Sequence, residues 1–248
     1  MKRLLLMFLV IVISLSLNVS FASASEQEYK LIAGDGESGD YFGVALAFSG
    51  DTVVVGAPED DDNGERSGSV YVFVRNGSSW VQQAKLNPIG GAAGDNFGYS
   101  VAIDGDTVVI GASSDDENGE NSGSAYVFVR SGSTWTQQAK LTSSYGVSGD
   151  MFGCSVAVDG NTVVVGAYGE ANSSGSIYIF NKTSDTWSLQ DRICAEYACA
   201  GGNFGYSVSI DEGCIMAGAP CDDEKGYGSG AVYALVQTPD GSWVCPAK

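Results

Sequence analysis

Phe97-Gly-Tyr-Ser-Val-Ala-Ile-Asp-Gly-Asp-Thr-Val-Val-Ile-Gly-Ala112 decides how this chain folds. It holds two apolar runs, Tyr99–Ile103 and Thr107–Ala112, separated by the tight-turn sequence Asp104-Gly105-Asp106. The second run is apolar at successive positions, so a strand made from it must be covered on both faces. Further along, Ser124–Arg130 and Thr134–Leu141 read as two more strands joined at Ser131-Gly132. The last of them, rich in Gln and Lys, suits an outer edge. The unit is a four-stranded antiparallel meander.

The same unit occurs four times. Gly39-Asp-Tyr-Phe-Gly43, Gly94-Asp-Asn-Phe-Gly98, Gly149-Asp-Met-Phe-Gly153 and Gly201-Gly-Asn-Phe-Gly205 are copies, and their phenylalanines stand 55, 55 and 52 residues apart. Fourteen residues after each comes a Gly-Ala pair: Gly56-Ala57-Pro58, Gly111-Ala112, Gly166-Ala167 and Gly218-Ala219-Pro220. Gly-Ser-Val-Tyr71 and its counterparts, and Trp80, Trp135, Trp187 and Trp243, keep the same phase. A period near fifty points to blades of a propeller, with copies at about 32–86, 87–141, 142–193 and 194–248. A β-sandwich gives no reason for four equivalent inner strands. A closed four-bladed ring is the preferred arrangement, an open arc of a larger propeller the alternative. Tyr29-Lys30-Leu31, matching Ala84-Lys85-Leu86, is the end of an outer strand that either completes the last blade or belongs to a preceding copy.

The remaining composition narrows the function. Met1-Lys2-Arg3, the apolar run Leu4–Leu17 and Ala22-Ser23-Ala24 read as a signal peptide, residues 1–24, leaving 25–248 as the exported chain. The net charge is −18, and without Lys2 and Arg3 the chain carries 10 basic against 30 acidic residues, or −20. Such a surface repels phosphate backbones and anionic lipid, so neither nucleic acid nor membrane insertion after cleavage is expected. With no histidine in the sequence, Ser-His-Asp and Cys-His catalysis and imidazole-ligated zinc are excluded. Cys154, Cys194, Cys199, Cys214, Cys221 and Cys245 are candidate disulfide partners in an oxidising compartment, with small buried thiols as the other reading.

Phe-Gly followed by Gly-Ala-Pro resembles the FG-GAP repeat, known from the β-propeller head of integrin α subunits and from bacterial and algal exported proteins, the latter being nearer. The likeness runs from about Tyr29 to the end of the chain. It implies a secreted or cell-surface binding or adhesion module for an extracellular protein or glycan. A secreted polysaccharide-active enzyme, or its substrate-holding propeller, is the alternative. In integrins calcium sits between the first two strands of certain blades, where this chain has only a tight turn. The acidic loop after Gly-Ala offers Glu59, Asp61 and Asn63 in the first copy, and Asp116 and Asn118 in the second. Calcium wants several such oxygens around a glycine-assisted bend. Val70 occupies the closing position, however, and the third copy shrinks to Gly169-Glu-Ala-Asn172, while Lys225 enters the fourth. A solvated acidic loop is therefore preferred, and no cofactor is expected. Phe42, Phe97, Phe152 and Phe204 should plug the space between blades. Gly43, Gly98, Gly153 and Gly205, with the Gly-Ala glycines, should permit turning or close backbone approach. The tryptophans should pack between blades, the other possibility being an aromatic platform for sugar rings. No carboxylate pair stands out as catalytic.

Overall fold

A computed structural model describes residues 28–194 and 201–244; the segment 1–24 read above as a signal peptide, Cys199 and Cys245 lie outside them. The described residues from Leu31 onward form one compact unit. It is all-β, and consists of four antiparallel four-stranded sheets, each built from one copy of the repeat. Blade 1 comprises β1 (Ala45–Ser49), β2 (Thr52–Ala57), β3 (Ser69–Asn76) and β4 (Ser79–Leu86). Blade 2 comprises β5 (Ser100–Asp104), β6 (Thr107–Ala112), β7 (Ser124–Ser131) and β8 (Thr134–Leu141). Blade 3 has β9 (Ser155–Asp159), β10 (Thr162–Ala167), β11 (Ser176–Thr183) and β12 (Thr186–Cys194). Blade 4 has β13 (Ser207–Asp211), β14 (Cys214–Ala219), β15 (Ala231–Gln237) and β16 (Trp243–Val244). No helix among the described residues is long and apolar enough to cross a membrane.

The doubly apolar strands lie second from the inside, where β2, β6 and β10 are buried on both faces, while β14 leaves Met216 45% exposed. Val54, Val70 and Val72 of blade 1 interlock with Phe97, Val108, Ile110 and Tyr126 of blade 2. Blades 2 and 3, and then 3 and 4, repeat this contact with equivalent residues. Both a closed ring and an arc are built from such a stack.

Each FG phenylalanine meets the third-strand aromatics of its own blade edge-on, Phe97 lying 5.4 Å from Tyr126 and 6.0 Å from Phe128. Its backbone is gripped by the blade before. The Phe97, Phe152 and Phe204 amides donate to the carbonyls of Ser67, Ser122 and Ser174 at 3.0–3.1 Å. A Cβ on Gly56, Gly111 or Gly166 would stand 1.9–2.0 Å from the carbonyl oxygen of the next blade's FG glycine, so these positions admit glycine alone. Close approach, rather than turning, is the task of the Gly-Ala glycine.

The outer strands carry a bulge at Gln83, Gln138 and Gln190, each skipped in the pairing with the third strand. A bulge turns a side chain out of the pleat. Here it aims each glutamine at the next blade, where the indole N–H of Trp135, Trp187 and Trp243 donates to it at 3.0, 2.8 and 3.5 Å. Leu31 and Ala33 pack against Tyr71 and Phe73 of blade 1, as both sequence alternatives for this segment require. Leu31 thus does for blade 1 what Leu86 does for blade 2.

Candidate functional site

The loop joining second and third strands rises on one rim of every blade. Its first acid is not at the surface. Asp60, Asp115, Glu170 and Asp222, each three residues beyond the Gly-Ala alanine, are 2–5% exposed. A buried carboxylate demands partners. Tyr126 donates to Asp115 at 3.1 Å, the Glu117 amide at 2.9 Å, and Lys140 Nζ lies 2.9 Å away. In blade 1, Tyr71 donates to Asp60 at 2.8 Å and Ser69 at 2.9 Å, with Lys85 Nζ at 2.9 Å. Blade 3 substitutes Glu170, Tyr178 and Arg192, with Tyr178 donating at 2.8 Å and Arg192 in close contact with the carboxylate. In blade 4, Tyr233 donates to Asp222 at 2.8 Å, and Lys248, at the corresponding spacing, lies outside the described residues.

Electrostatics follow from this geometry. Burial pushes the Asp115 carboxyl up, but Lys140, the Glu117 amide and Tyr126 outweigh it and hold the group below the ordinary carboxylate range. Asp60 is held down in the same way by Lys85 and Tyr71. Burial pushes the Tyr126 hydroxyl well above its usual range, and the charge of Asp115 adds to this. Lys140, although desolvated, stays protonated far above neutrality because Glu117 and Asp115 face it. The result, in blades 1 to 3, is an acid–tyrosine–base lock that pins the loop to its blade, and blade 4 shows the acid and tyrosine of the same set. Sequence reasoning missed the lock. Its signal was present as a Tyr recurring after the third-strand Gly and a Lys or Arg five residues after each outer-strand Trp, as in Lys85, Lys140 and Arg192.

The five candidate cation ligands are divided between two loops and engaged there. Asp61 and Asp116 accept the amides of Arg66 and Asn121 at 2.7 Å and so close their loops. Asn63 and Asn118 offer amides to Ser67 and Ser122 at 3.3 and 3.2 Å, and Glu59 pairs with Arg66 at 3.5 Å. Among the described residues no three acidic or cysteine side chains gather where a metal could sit.

A groove of about 460 Å³ opens between the segment leading into blade 2 and the acidic loop of that blade. Asp95, Asp115, Asp116, Glu117 and Lys140 line it, with Ile89 at one lip. Asp95 is 4% exposed and accepts the Ala92 amide at 2.7 Å, yet burial leaves its carboxyl above the ordinary range. Of the cysteines, Cys154, Cys194, Cys214 and Cys221 are free thiols, so no disulfide ties the described residues. Cys154 is buried beside the Gly205 carbonyl, and desolvation pushes its thiol up to about 11.

The family profile of the FG-GAP repeat matches four times, at residues 26–73, 80–128, 135–180 and 187–235. The chain belongs to the FG-GAP repeat family. No individually curated protein matches it at a significant level. FG-GAP repeats are those of β-propeller modules of the binding and adhesion type, generally not enzymes, and are typical of extracellular proteins. In this FG-GAP chain Trp187 and Trp243 are buried, Trp80 and Trp135 half-buried. Trp135, Trp187 and Trp243 pack between blades, and Trp80 packs on blade 1.

Proposed function

We propose that this chain is a secreted, non-catalytic recognition module that presents its acidic rim loops to an extracellular protein or glycan. The observation that carries the reading is the lock. A loop anchored at its base by a buried carboxylate, tyrosine and cation keeps one shape while its upper residues differ from copy to copy, which is what pre-organised recognition requires. A groove opens on that rim beside Asp95 and Asp116, and its carboxylates favour a partner with cationic or hydroxyl-rich groups. The packing of Trp135, Trp187 and Trp243 between blades supports this reading over a polysaccharide-active enzyme. Export rests on the leader sequence and on the family.

The test is a binding screen of the purified mature chain against extracellular proteins and glycans, with calcium and again with chelator. Capture of one partner class in both conditions, weakened by Asp116→Lys with Glu117→Lys, is the expected result. Turnover of a polysaccharide, or capture that these rim changes leave untouched, would overturn it.

A further inference from the structure

The three contacts between blades use one set of parts, and the two ends of the stack carry the unmatched halves of that set. On blade 1, Phe42 is only half-buried, whereas Phe97, Phe152 and Phe204 are at most 1% exposed. Leu46 and Phe48 are 67% and 73% exposed, although their counterparts Val101 and Ile103 pack into the contact with blade 1. The amides of Gly39, Tyr41 and Phe42 meet no acceptor among the described residues, while Gly94, Asn96 and Phe97 donate to Glu65, Arg66 and Ser67.

Blade 4 shows the complement. Met216 and Val232 are 45% and 72% exposed, where Val54 and Val70 of blade 1 are wholly buried beneath blade 2. Gly230 has only the Pro220 carbonyl near its Cβ direction, at 3.3 Å, where Gly68, Gly123 and Gly175 meet the next phenylalanine's carbonyl at 2.0–2.1 Å. Gly218 likewise faces no glycine carbonyl from another blade. A cavity of about 430 Å³ fills the place, bounded by Gly218, Pro220, Gly230 and Val232. It is the socket that receives the FG corner in the three internal contacts. By position in the repeat, Tyr227, Gly228 and Ser229 correspond to Glu65, Arg66 and Ser67, the acceptors of the Gly94, Asn96 and Phe97 amides, and so supply the carbonyls that Gly39, Tyr41 and Phe42 lack.

We propose that blade 1 of one chain docks on blade 4 of a second copy, head to tail, remaking the contact that joins blades within the chain. A heterologous contact of this kind closes into a ring when its rotation allows, and two chains supply eight blades, within the range of closed propellers. Leu31 already covers the position that an outer-strand leucine covers in the internal contacts, so the incoming blade meets no gap there. Both partners are acidic, so screening by salt tightens the association. This inference is independent of any ligand on the rim.

Sedimentation velocity on the mature chain, from micromolar to millimolar concentration, reads the result. The wild type is expected to pass from the mass of one chain to twice that mass, at lower concentration in high salt. Leu46→Glu and Val232→Glu each alter a surface residue, and each should weaken association on the order of 100-fold by placing an unpaired charge in the contact. Mixed together, the two variants retain one intact pair of faces and should form a one-to-one dimer. Circular dichroism of each variant establishes that the blades remain folded. A wild type that stays monomeric throughout, whether its end faces are open or covered by its own other end, overturns the proposal. So does a mixture of folded variants that fails to dimerise.

Discussion

Replacing Gly111 and Gly218 by alanine, one at a time, tests how blades are joined. The two occupy the same position in their copies, and local strand structure is alike. At Gly111 the new methyl would stand 1.9 Å from the Gly153 carbonyl oxygen and 2.3 Å from Ser100 Oγ. Real contacts begin near 3.0 Å, so blade 3 must retreat by about 1.1 Å from 1.9 Å. Backbone cannot rotate away as a side chain can. Overpacking of this kind costs roughly 1–3 kcal/mol. The hydrogen bonds that hold Gly153 in place, from Ser100 Oγ at 2.8 Å and through its amide to Gly166 at 2.9 Å, are strained as well, at about 1 kcal/mol each. Alanine restricts the unfolded chain and returns about 0.4–1 kcal/mol. The net for Gly111→Ala is a loss of about 3 kcal/mol. At Gly218 the nearest atom is Ser207 Oγ at 2.4 Å, a hydroxyl that turns aside, so the loss should be under about 1 kcal/mol. Urea unfolding of the isolated chain, at a concentration where it is monomeric, measures both. Equal losses within about 0.5 kcal/mol would refute the claim that the glycine serves inter-blade approach.

Four further outcomes follow from the rim and core. Asp115→Ala should cost about 3 kcal/mol by leaving Lys140 and Tyr126 without their buried acceptor, whereas Asp116→Ala, at the surface, should cost under about 1 kcal/mol; chemical denaturation compares them. The native Asp115 carboxyl is depressed, so its contribution is complete above the ordinary carboxylate value near ~4 and disappears as pH falls through the native value; the gap between wild type and Asp115→Ala should narrow in acid. Asp95 has the opposite sign: its carboxyl is raised by burial, stability falls as pH rises through that value, and Asp95→Asn should flatten this part of the pH–stability curve. Cys154, buried with its thiol near 11, should resist alkylation in the folded chain at mildly basic pH, while the exposed Cys194 and Cys221 react; mass mapping separates them.

The blades were legible because their signals are local. Asp104-Gly105-Asp106 fixes a hairpin, and β6 and β8 begin and end where the apolar pattern does. Strand β5 is displaced by one residue, since Tyr99 is taken up by the FG corner, donating its amide to Asn96 at 3.1 Å. The lock was illegible for the opposite reason. Asp60, Tyr71 and Lys85 are spread over a loop and two strands, and only the pairing of Tyr71 with Lys85 across β3 and β4 brings them together. Read singly, Asp60 is one more acid in Glu59-Asp-Asp-Asp62, indistinguishable from the neighbours that point to water. In the structure the charges of this run are shared with Arg66, Lys85 and the loop's own amides.

Blade 3 shows what the fold holds constant. Its loop is shorter: Glu170 stands 5 residues before Gly175, where Asp60 stands 8 before Gly68 and Asp115 8 before Gly123. A shortened loop would pull an aspartate away from the third-strand tyrosine. The acid is a glutamate instead, one methylene longer, and the cation an arginine, so the carboxylate still receives Tyr178 at 2.8 Å. The chain absorbs the shortcut in a single turn, α1 (Glu170–Ser173), with Ala171 and Asn172 at φ 54° and 58°. Even the hinge bond survives, Gly175 donating to the Glu170 carbonyl at 3.0 Å as Gly68 does to Asp60 at 2.9 Å. Loop length, acid and base have changed together while the lock remains. A solvated loop under no demand would need no such compensation. The rim is therefore built so that its outline can vary from blade to blade while its attachment cannot, which is the property that a surface for recognition needs.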